Sequence, residues 1–360
     1  PNLCAYLGKL FRPRSLQFWR FDMPNNFDPL VTIAIPTYNR ADYYLQQSLA
    51  SALSQSYQHI EIIVSDNCST DNTQAFVRSF SDPRLRYFRH DKNIGANNNF
   101  NYCLEQAKGD YFLLLQDDDM IDNDFVEVCI TTAAKSKDIG IIRTGTRIID
   151  SEGEVIAEAV NNVVGLTTEE FFMGWFANKT ALYLCSTLFH TERLMKIGGF
   201  KSKRSLFQDV MAEVRLAARY GRVDIQDIKA SFRRHHGEMT FAVKVKHWCE
   251  DSLELLDLLC ELAPENKELI QTEGMRFFSR LNYRRAKAVR SSSGRFLAYL
   301  TVLKEFGYRY RPPIHALLCI CPFYYQMRPV KSKIAGSFSK SSGGSCATSP
   351  KSSPSSDRDF

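Results

Sequence analysis

No two of the ten cysteines form a C-x-x-C pair, which argues against a zinc ribbon or a thioredoxin-like redox motif. The cysteines are scattered along the chain, and several lie in apolar patterns, where a free thiol buries like a small hydrophobe. A reducing, cytoplasmic setting is therefore expected. No apolar run reaches the roughly 18 residues read as a membrane-spanning helix; HALLCICPFYYQM (315–327) comes nearest. The N-terminal PNLCAYLGKLFRPRSLQFWRFD lacks the apolar centre and small-residue cleavage site of a secretory signal. Charge of one sign is scarce too: 46 basic against 40 acidic residues leave a formal +6. So mild an excess gives no ground for a nucleic-acid partner, and none is expected. What remains is an ordinary globular composition in 360 residues, enough for one large domain with an accessory part.

Short apolar runs alternate with helical spacing from residue 30 to about residue 145. LVTIAI (30–35), IEIIVS (60–65), LRYFR (85–89), YFLLL (111–115) and IGIIRT (139–144) read as strands. Stretches such as ADYYLQQSLASALSQ and ANNNFNYCLEQAK between them read as helices. The pattern predicts an α/β fold, a mostly parallel central sheet flanked by helices. Four polar clusters, PTYNR, DNCSTD, HDKNIG and QDDDMID, follow successive strands. In a parallel sheet they converge on the carboxyl edge, where such folds bind ligands. A hairpin is expected at DSEGE (150–154), and helices from about residue 167 and over about 207–220. The chain divides into an N-terminal extension (1–28), the α/β domain (29–240), a helical C-terminal region (241–330) and a Ser/Gly/Pro-rich tail (331–360), read as disordered.

YFLLLQDDDMIDNDF poses a physical problem, because a buried strand opens onto three adjacent acids. Each like-charged pair at about 5 Å, in an effective dielectric of about 20, costs on the order of 3 kcal/mol. Asp122 or Asn123 is placed to cap the next helix, which accounts for one acid and not for three. Hard oxygen ligands grouped at a sheet edge suit Mg²⁺ or Mn²⁺, with substrate phosphates completing the shell. In VSDNCSTD, Ser69, Thr70 and Asp71 are N-cap candidates. Asp66 serves ligand contact or turn formation equally well.

IAIPTYNR, IVSDNCSTDNT, NIGANNNF, GDYFLLLQDDD, GGF (198–200) and QDVMAEVRLAARYG together resemble the family 2 glycosyltransferases, over roughly residues 29–240. The resemblance implies a GT-A nucleotide-binding fold and metal-dependent, inverting transfer of a sugar from a nucleotide diphosphate, UDP, to an acceptor hydroxyl. Mn²⁺ or Mg²⁺ would be the cofactor. The acceptor would be a glycan or lipid-linked glycan, in bacterial surface polysaccharide or glycolipid synthesis. The same resemblance puts Pro36, Thr37, Tyr38 and Asn93 in the nucleotide-sugar pocket and Asp66 at the uracil imide N–H. Asp117 falls at the ribose or metal, and Asp118, Asp119 and His235 at the metal. Asp209 takes the place of the catalytic base; the bland alternative is a helix N-terminal acid with only a dipole role. His235 has its own bland alternative, a polar surface group.

The departures from the family pattern are specific. Gln116 stands first in the acidic motif, Gln208 replaces the Glu before the base, and His236 occupies a position where Pro is common. Phe100 stands where relatives place an Arg near the diphosphate, which leaves Lys92, Asn99 or Arg234 to make that contact. Arg233 and Arg234 either meet phosphate or are solvated; Ser186 and Thr187 fall under the acceptor site; Gly198 and Gly199 allow a tight turn. A different class of function is a non-catalytic nucleotide-sugar-binding protein or a partner in a glycan synthase complex, but the base and the acids are all retained. A nucleotidyltransferase would carry a Gly-rich, Lys-bearing loop after the first strand, and PTYNR is not one. Finally, FGYRYRPPIHALLCICPFYYQMRPVKSK (306–333) mixes aromatic, apolar and basic residues. It reads either as a peripheral contact with the inner face of the plasma membrane or as packing against the α/β domain.

Overall fold

The structure is a computed structural model that describes residues 27–310 apart from 42, 135, 137–138 and 236–243. The N-terminal extension up to residue 26, His236, the tail and the aromatic–basic segment after Tyr310 lie outside the described residues.

β1 (Val31–Thr37), β2 (Ile60–Asp66), β3 (Leu85–Arg89) and β4 (Tyr111–Leu114) lie in the order β3–β2–β1–β4, all parallel. β1, β2 and β4 are buried along their whole length, as strands covered on both faces must be. Leu45 and Leu49 of α1 (Tyr44–Leu53) and Phe125, Cys129 and Ile130 of α4 (Phe125–Ala133) join Ile33, Ile35, Ile62 and Val64 in the core. α2 (Thr73–Arg78) and α3 (Ala96–Gln106) complete the crossovers. The register pairs Thr37 with Asp66 and Asp66 with Arg89, so these strands end level and their loops share an edge.

Beyond β4 the sheet is no longer parallel. β8 (Thr187–His190) runs antiparallel to β4 and to β6 (Ile141–Ile149), and β6 pairs in parallel with β9 (Arg222–Arg233). Antiparallel neighbours need no crossover helix, and this stretch of chain lacks the strand–helix alternation seen earlier. β7 (Val155–Ala159) forms the expected hairpin with β6, and α5 (Thr168–Phe176) opens on a capping box between Thr167 and Glu170. The pairing that matters most for the site is the shortest. β5 (Met120–Ile121) lies antiparallel to the end of β9, Met120 opposite Ser231, which brings the acid-bearing loop beside Phe232 and Arg233.

α6 (Thr191–Lys196) leads into Gly198 and Gly199, both at positive φ. A Cβ on Gly199 would lie 2.3 Å from Asn101 Oδ1, the atom that accepts the Phe200 N–H. Gly199→Ala should therefore destabilise the fold by more than the roughly 1–2 kcal/mol of a left-handed non-glycine residue. The shift of a denaturant midpoint measures it, and a change below about 0.5 kcal/mol, the range of neutral surface substitutions, would refute the contact.

α7 (Gln208–Tyr220) precedes β9, and α8 (Val245–Leu262), α9 (Lys267–Lys287) and α10 (Ser292–Glu305) form the helical region. An aromatic cluster joins it to the sheet unit: Trp175 and Phe176 meet Phe277 at 5.1 and 5.2 Å, and Phe207 meets Trp248 edge-on at 5.4 Å. Among the described residues no helix is long and apolar enough to cross a membrane. Cys103, Cys129, Cys185, Cys249 and Cys260 are buried free thiols.

Candidate active site

A cavity of about 710 Å³ opens at the carboxyl edge of the sheet. Pro36, Thr37 and Tyr38 wall it where β1 ends; Asn67, Asn93 and Gly95 from the loops after β2 and β3; and Gln116, Asp117 and Asp118 from the loop after β4. Asp209 and Val210 at the start of α7, with Trp248 of α8 and Arg285 of α9, add a wall from the second half of the chain. Of the residues singled out from the sequence, Pro36, Thr37, Tyr38, Asn93, Asp117, Asp118 and Asp209 thus share one cavity.

The first two loops are tied to each other. Asn39, at φ 55°, donates its N–H to Ser69 Oγ and accepts the Thr70 N–H at 2.7 Å, while the Ala41 N–H meets Asp71 Oδ2. Most of the polar residues in DNCSTD are thus committed to holding the loop. Asp66, expected at the uracil imide, is among them. Fully buried, it accepts the Ser69 N–H (2.7 Å) on Oδ1 and the Tyr87 hydroxyl (2.5 Å) on Oδ2, with Arg89 Nε 3.7 Å away. Its neighbour Asn67 reaches the cavity instead, donating to Asn93 Oδ1 at 3.0 Å and accepting the Ile94 N–H.

The three acids separate into three environments. Asp117 faces the cavity with the Tyr38 N–H 3.4 Å from Oδ2; burial, and then the adjacent Asp118, push its carboxyl up to about 7. Asp118 places Oδ2 2.9 Å from His235 Nε2, and Tyr44 lies across the imidazole at a ring distance of 4.9 Å. Asp119, expected at the metal, turns inward. Completely buried, it accepts the Arg233 N–H at 2.9 Å, because the β5–β9 pairing that begins at Met120 aims it at that strand. Burial, and then Asp118, raise its carboxyl well above the ordinary range. Asp122 does not cap α4; it forms a two-point ion pair with Arg147 at 2.7 and 2.8 Å.

Among the described residues no three His, Cys, Asp or Glu side chains converge as a closed metal cage. Asp118 and His235 instead form an adjacent oxygen–nitrogen donor pair, with Asp117 next in the chain. That set fits an ion of the Mg²⁺ or Mn²⁺ kind, which is held by one or two protein groups and completes its shell with phosphates and water.

Several cations are already committed. Arg233 donates Nε to the Asp118 carbonyl at 2.8 Å and Nη1 to the Asp150 carbonyl at 3.0 Å, and it stacks on Tyr44. Lys92 and Arg234 are exposed and do not line the cavity. Asn99 does, but its amide bonds Ser65 on both sides. Ser186 and Thr187 are fully buried, both donating to the Tyr183 carbonyl; Tyr183 itself reaches the cavity wall.

Asp209 is the second residue of α7, where burial raises its carboxyl to about 6, against the lowering effect of the Val210 and Asp209 backbone N–H groups. One turn on, Glu213 is fully buried and faces Arg143 of β6, Nε to Oε2 3.3 Å. Arg143 also pairs with Asp224 at 3.2 Å and donates to Thr180 Oγ1 at 2.9 Å. Sequence reading missed Arg143, Glu213 and Arg285. The first two sit inside apolar strand and helix patterns that hide a buried charge, and Arg285 is one of several basic residues on an amphipathic helix.

Residues 32–182 match the model of the family described as Glycosyl transferase family 2. The chain is 36% identical over 130 residues to an uncharacterized glycosyltransferase of Rickettsia typhi, covering 36% of this chain and 40% of that one. Over 135 residues it is 34% identical to the chondroitin synthase of Pasteurella multocida, covering 37% of this chain and 14% of that one. The match thus spans well under half of these relatives' lengths. Among solved structures, S. aureus TarS in complex with UDP-GlcNAc superposes with a TM-score of 0.52 at 15% identity, over 77% of this chain and 89% of that one. A second TarS structure gives 0.55, over 76% and 49%. At such identity the likeness speaks for the fold, which is of the GT-A type. The matched segment runs from β1 past the acidic loop, so residues 32–182 carry the match to the family 2 glycosyltransferases.

Proposed function

We propose that the chain moves a sugar from a nucleoside diphosphate donor, UDP, to an acceptor hydroxyl, with inversion at the transferred carbon. The observation that carries this reading is the shared cavity: nucleotide-side loops, two acids and a half-buried carboxyl on a helix start meet in one volume large enough for a nucleotide sugar. Thr37, Tyr38, Asn67 and Asn93 hold the nucleoside end. Asp118 and His235 would hold a divalent ion, with Asp117 beside them, and such an ion supplies neutralisation of the charge that grows on the departing diphosphate. Asp209 stands as the base that takes the acceptor proton as the oxygen attacks, and its raised carboxyl suits that task near neutral pH. The relatives named chondroitin synthase and hyaluronan synthase support a glycan acceptor and a place in polysaccharide synthesis.

Thermal denaturation of the full chain with UDP, GDP and dTDP, with and without Mn²⁺, tests the reading. UDP at a hundredfold excess over its Kd should stabilise the wild type by about 2.7 kcal/mol. Asp118→Ala should lose the part of that increment that depends on Mn²⁺. Stabilisation by none of the nucleotides would overturn the proposal. Binding with no glycosylated or hydrolysed product from any UDP-sugar would instead mark a non-catalytic binding protein.

A further inference from the structure

Arg285 has no role in the site as drawn so far. It reaches the cavity wall from α9, in the helical region. Its guanidinium lies 3.8 Å from the Trp248 ring centre and 5.9 Å from that of Phe207, two residues before Asp209. Leu206 and Val210 continue the same stretch of wall, so the surroundings are apolar. Among the described residues no carboxylate pairs with it, and Nη1 is buried without a hydrogen-bond partner. Burial holds its pKa down to about 10, which still leaves it charged at neutral pH. A desolvated cation with no counter-charge is costly, and nothing in an apolar wall offsets that cost except the aromatic face. A guanidinium is also the side chain best shaped to take an oxyanion through two parallel hydrogen bonds.

The position relative to the other polar groups decides which oxyanion. In the proposed reaction the Asn67–Asn93 pair takes the nucleoside end, and Asp117, Asp118 and His235 the diphosphate end. Arg285 lies by Phe207, two residues before Asp209, and shares the cavity into which the acceptor hydroxyl has to approach that base. We propose that Arg285, laid on Trp248, forms an acceptor subsite for an oxyanion, so that the acceptor carries a phosphate or a carboxylate beside its reacting hydroxyl. The inference rests on the proposed transfer reaction and names the substrate class for it. It also explains why the helical region folds against the α/β unit through aromatic residues: that packing sets Trp248, and through it the cation, at the cavity.

The test uses the full chain saturated with UDP and Mn²⁺, titrated calorimetrically with three probes: methyl β-D-glucuronide, glycerol phosphate and the neutral methyl β-D-glucoside. One anionic probe should bind about tenfold more tightly than the neutral one, the increment of a charge-assisted hydrogen bond, and which anion wins separates carboxylate from phosphate. Arg285→Gln, which keeps the aliphatic stem over Trp248, should abolish that preference, Arg285→Lys should retain part of it, and UDP affinity should hold in both. Equal binding of all three probes by the wild type would reduce Arg285 to a stacking role and overturn the inference. A drop of about tenfold in UDP affinity for Arg285→Gln would also overturn it, by assigning the cation to the donor diphosphate. Failure of the wild type to bind UDP would bring down the transfer reaction itself, and the subsite with it.

Discussion

Asp209→Asn is expected to slow sugar transfer by about 10²–10⁴-fold, the usual contribution of a positioned general base, while leaving UDP affinity unchanged. The substitution keeps the size and hydrogen-bonding shape of the side chain and removes only the proton acceptor. The pH profile gives the sharper signature. With its carboxyl raised to about 6 by burial, Asp209 should be protonated and idle on the acid side, so kcat/KM should fall as pH drops below about 6. The Asn variant should lack that limb. The same shift links to stability with a definite sign. A folded value above the ordinary 3.8 means the native state binds the extra proton between about pH 4 and pH 6. This carboxyl's favourable contribution is therefore full below about pH 4 and is lost as pH rises through about 6. Initial rates from pH 5 to pH 8 for both proteins check the prediction, and full turnover by the variant would remove Asp209 from the mechanism.

The second large effect is on folding. Arg143→Ala should cost about 3–5 kcal/mol, as breaking a buried ion pair from one side does. The guanidinium is fully buried between Glu213 and Asp224, and it also donates to Thr180 and to the Ala181 carbonyl. Removing it strands acceptors from β9, α7 and the loop before β8 in an apolar interior. Burial pushes Glu213 up to about 8, although Arg143 pulls it down, so a neutral isostere there is well tolerated by comparison. Glu213→Gln should lose far less stability than Arg143→Ala in matched urea titrations. Equal losses would mean that charge, and not hydrogen-bond satisfaction, dominates the cluster. Because Glu213 and Asp209 share α7, a loosened Arg143 site should also lower the transfer rate.

How much of this was legible in advance follows from the range of each interaction. The strand cores, the hairpin at 150–154 and the start of α7 depend on neighbours a few residues apart, and periodicity exposes them. The clustering of PTYNR and QDDD was legible because strand–helix alternation puts successive loops on one edge, whereas only the family resemblance placed Asp209 with them. The orientation of single side chains was not. Asp66 and Asp119 look like ligands in the string, yet Tyr87 and the Arg233 N–H, far along the chain, turn them inward.

The sequence by itself determined the kind of fold, the edge on which the polar loops gather and the acids available to it, since these follow from local periodicity and from parallel topology. Only the tertiary structure decided which acids face the cavity, that His235 lies against Asp118, and that Arg285 arrives from the helical region. Those outcomes hang on strand register and on aromatic packing between distant segments, where one residue of slip reverses the direction in which every side chain points.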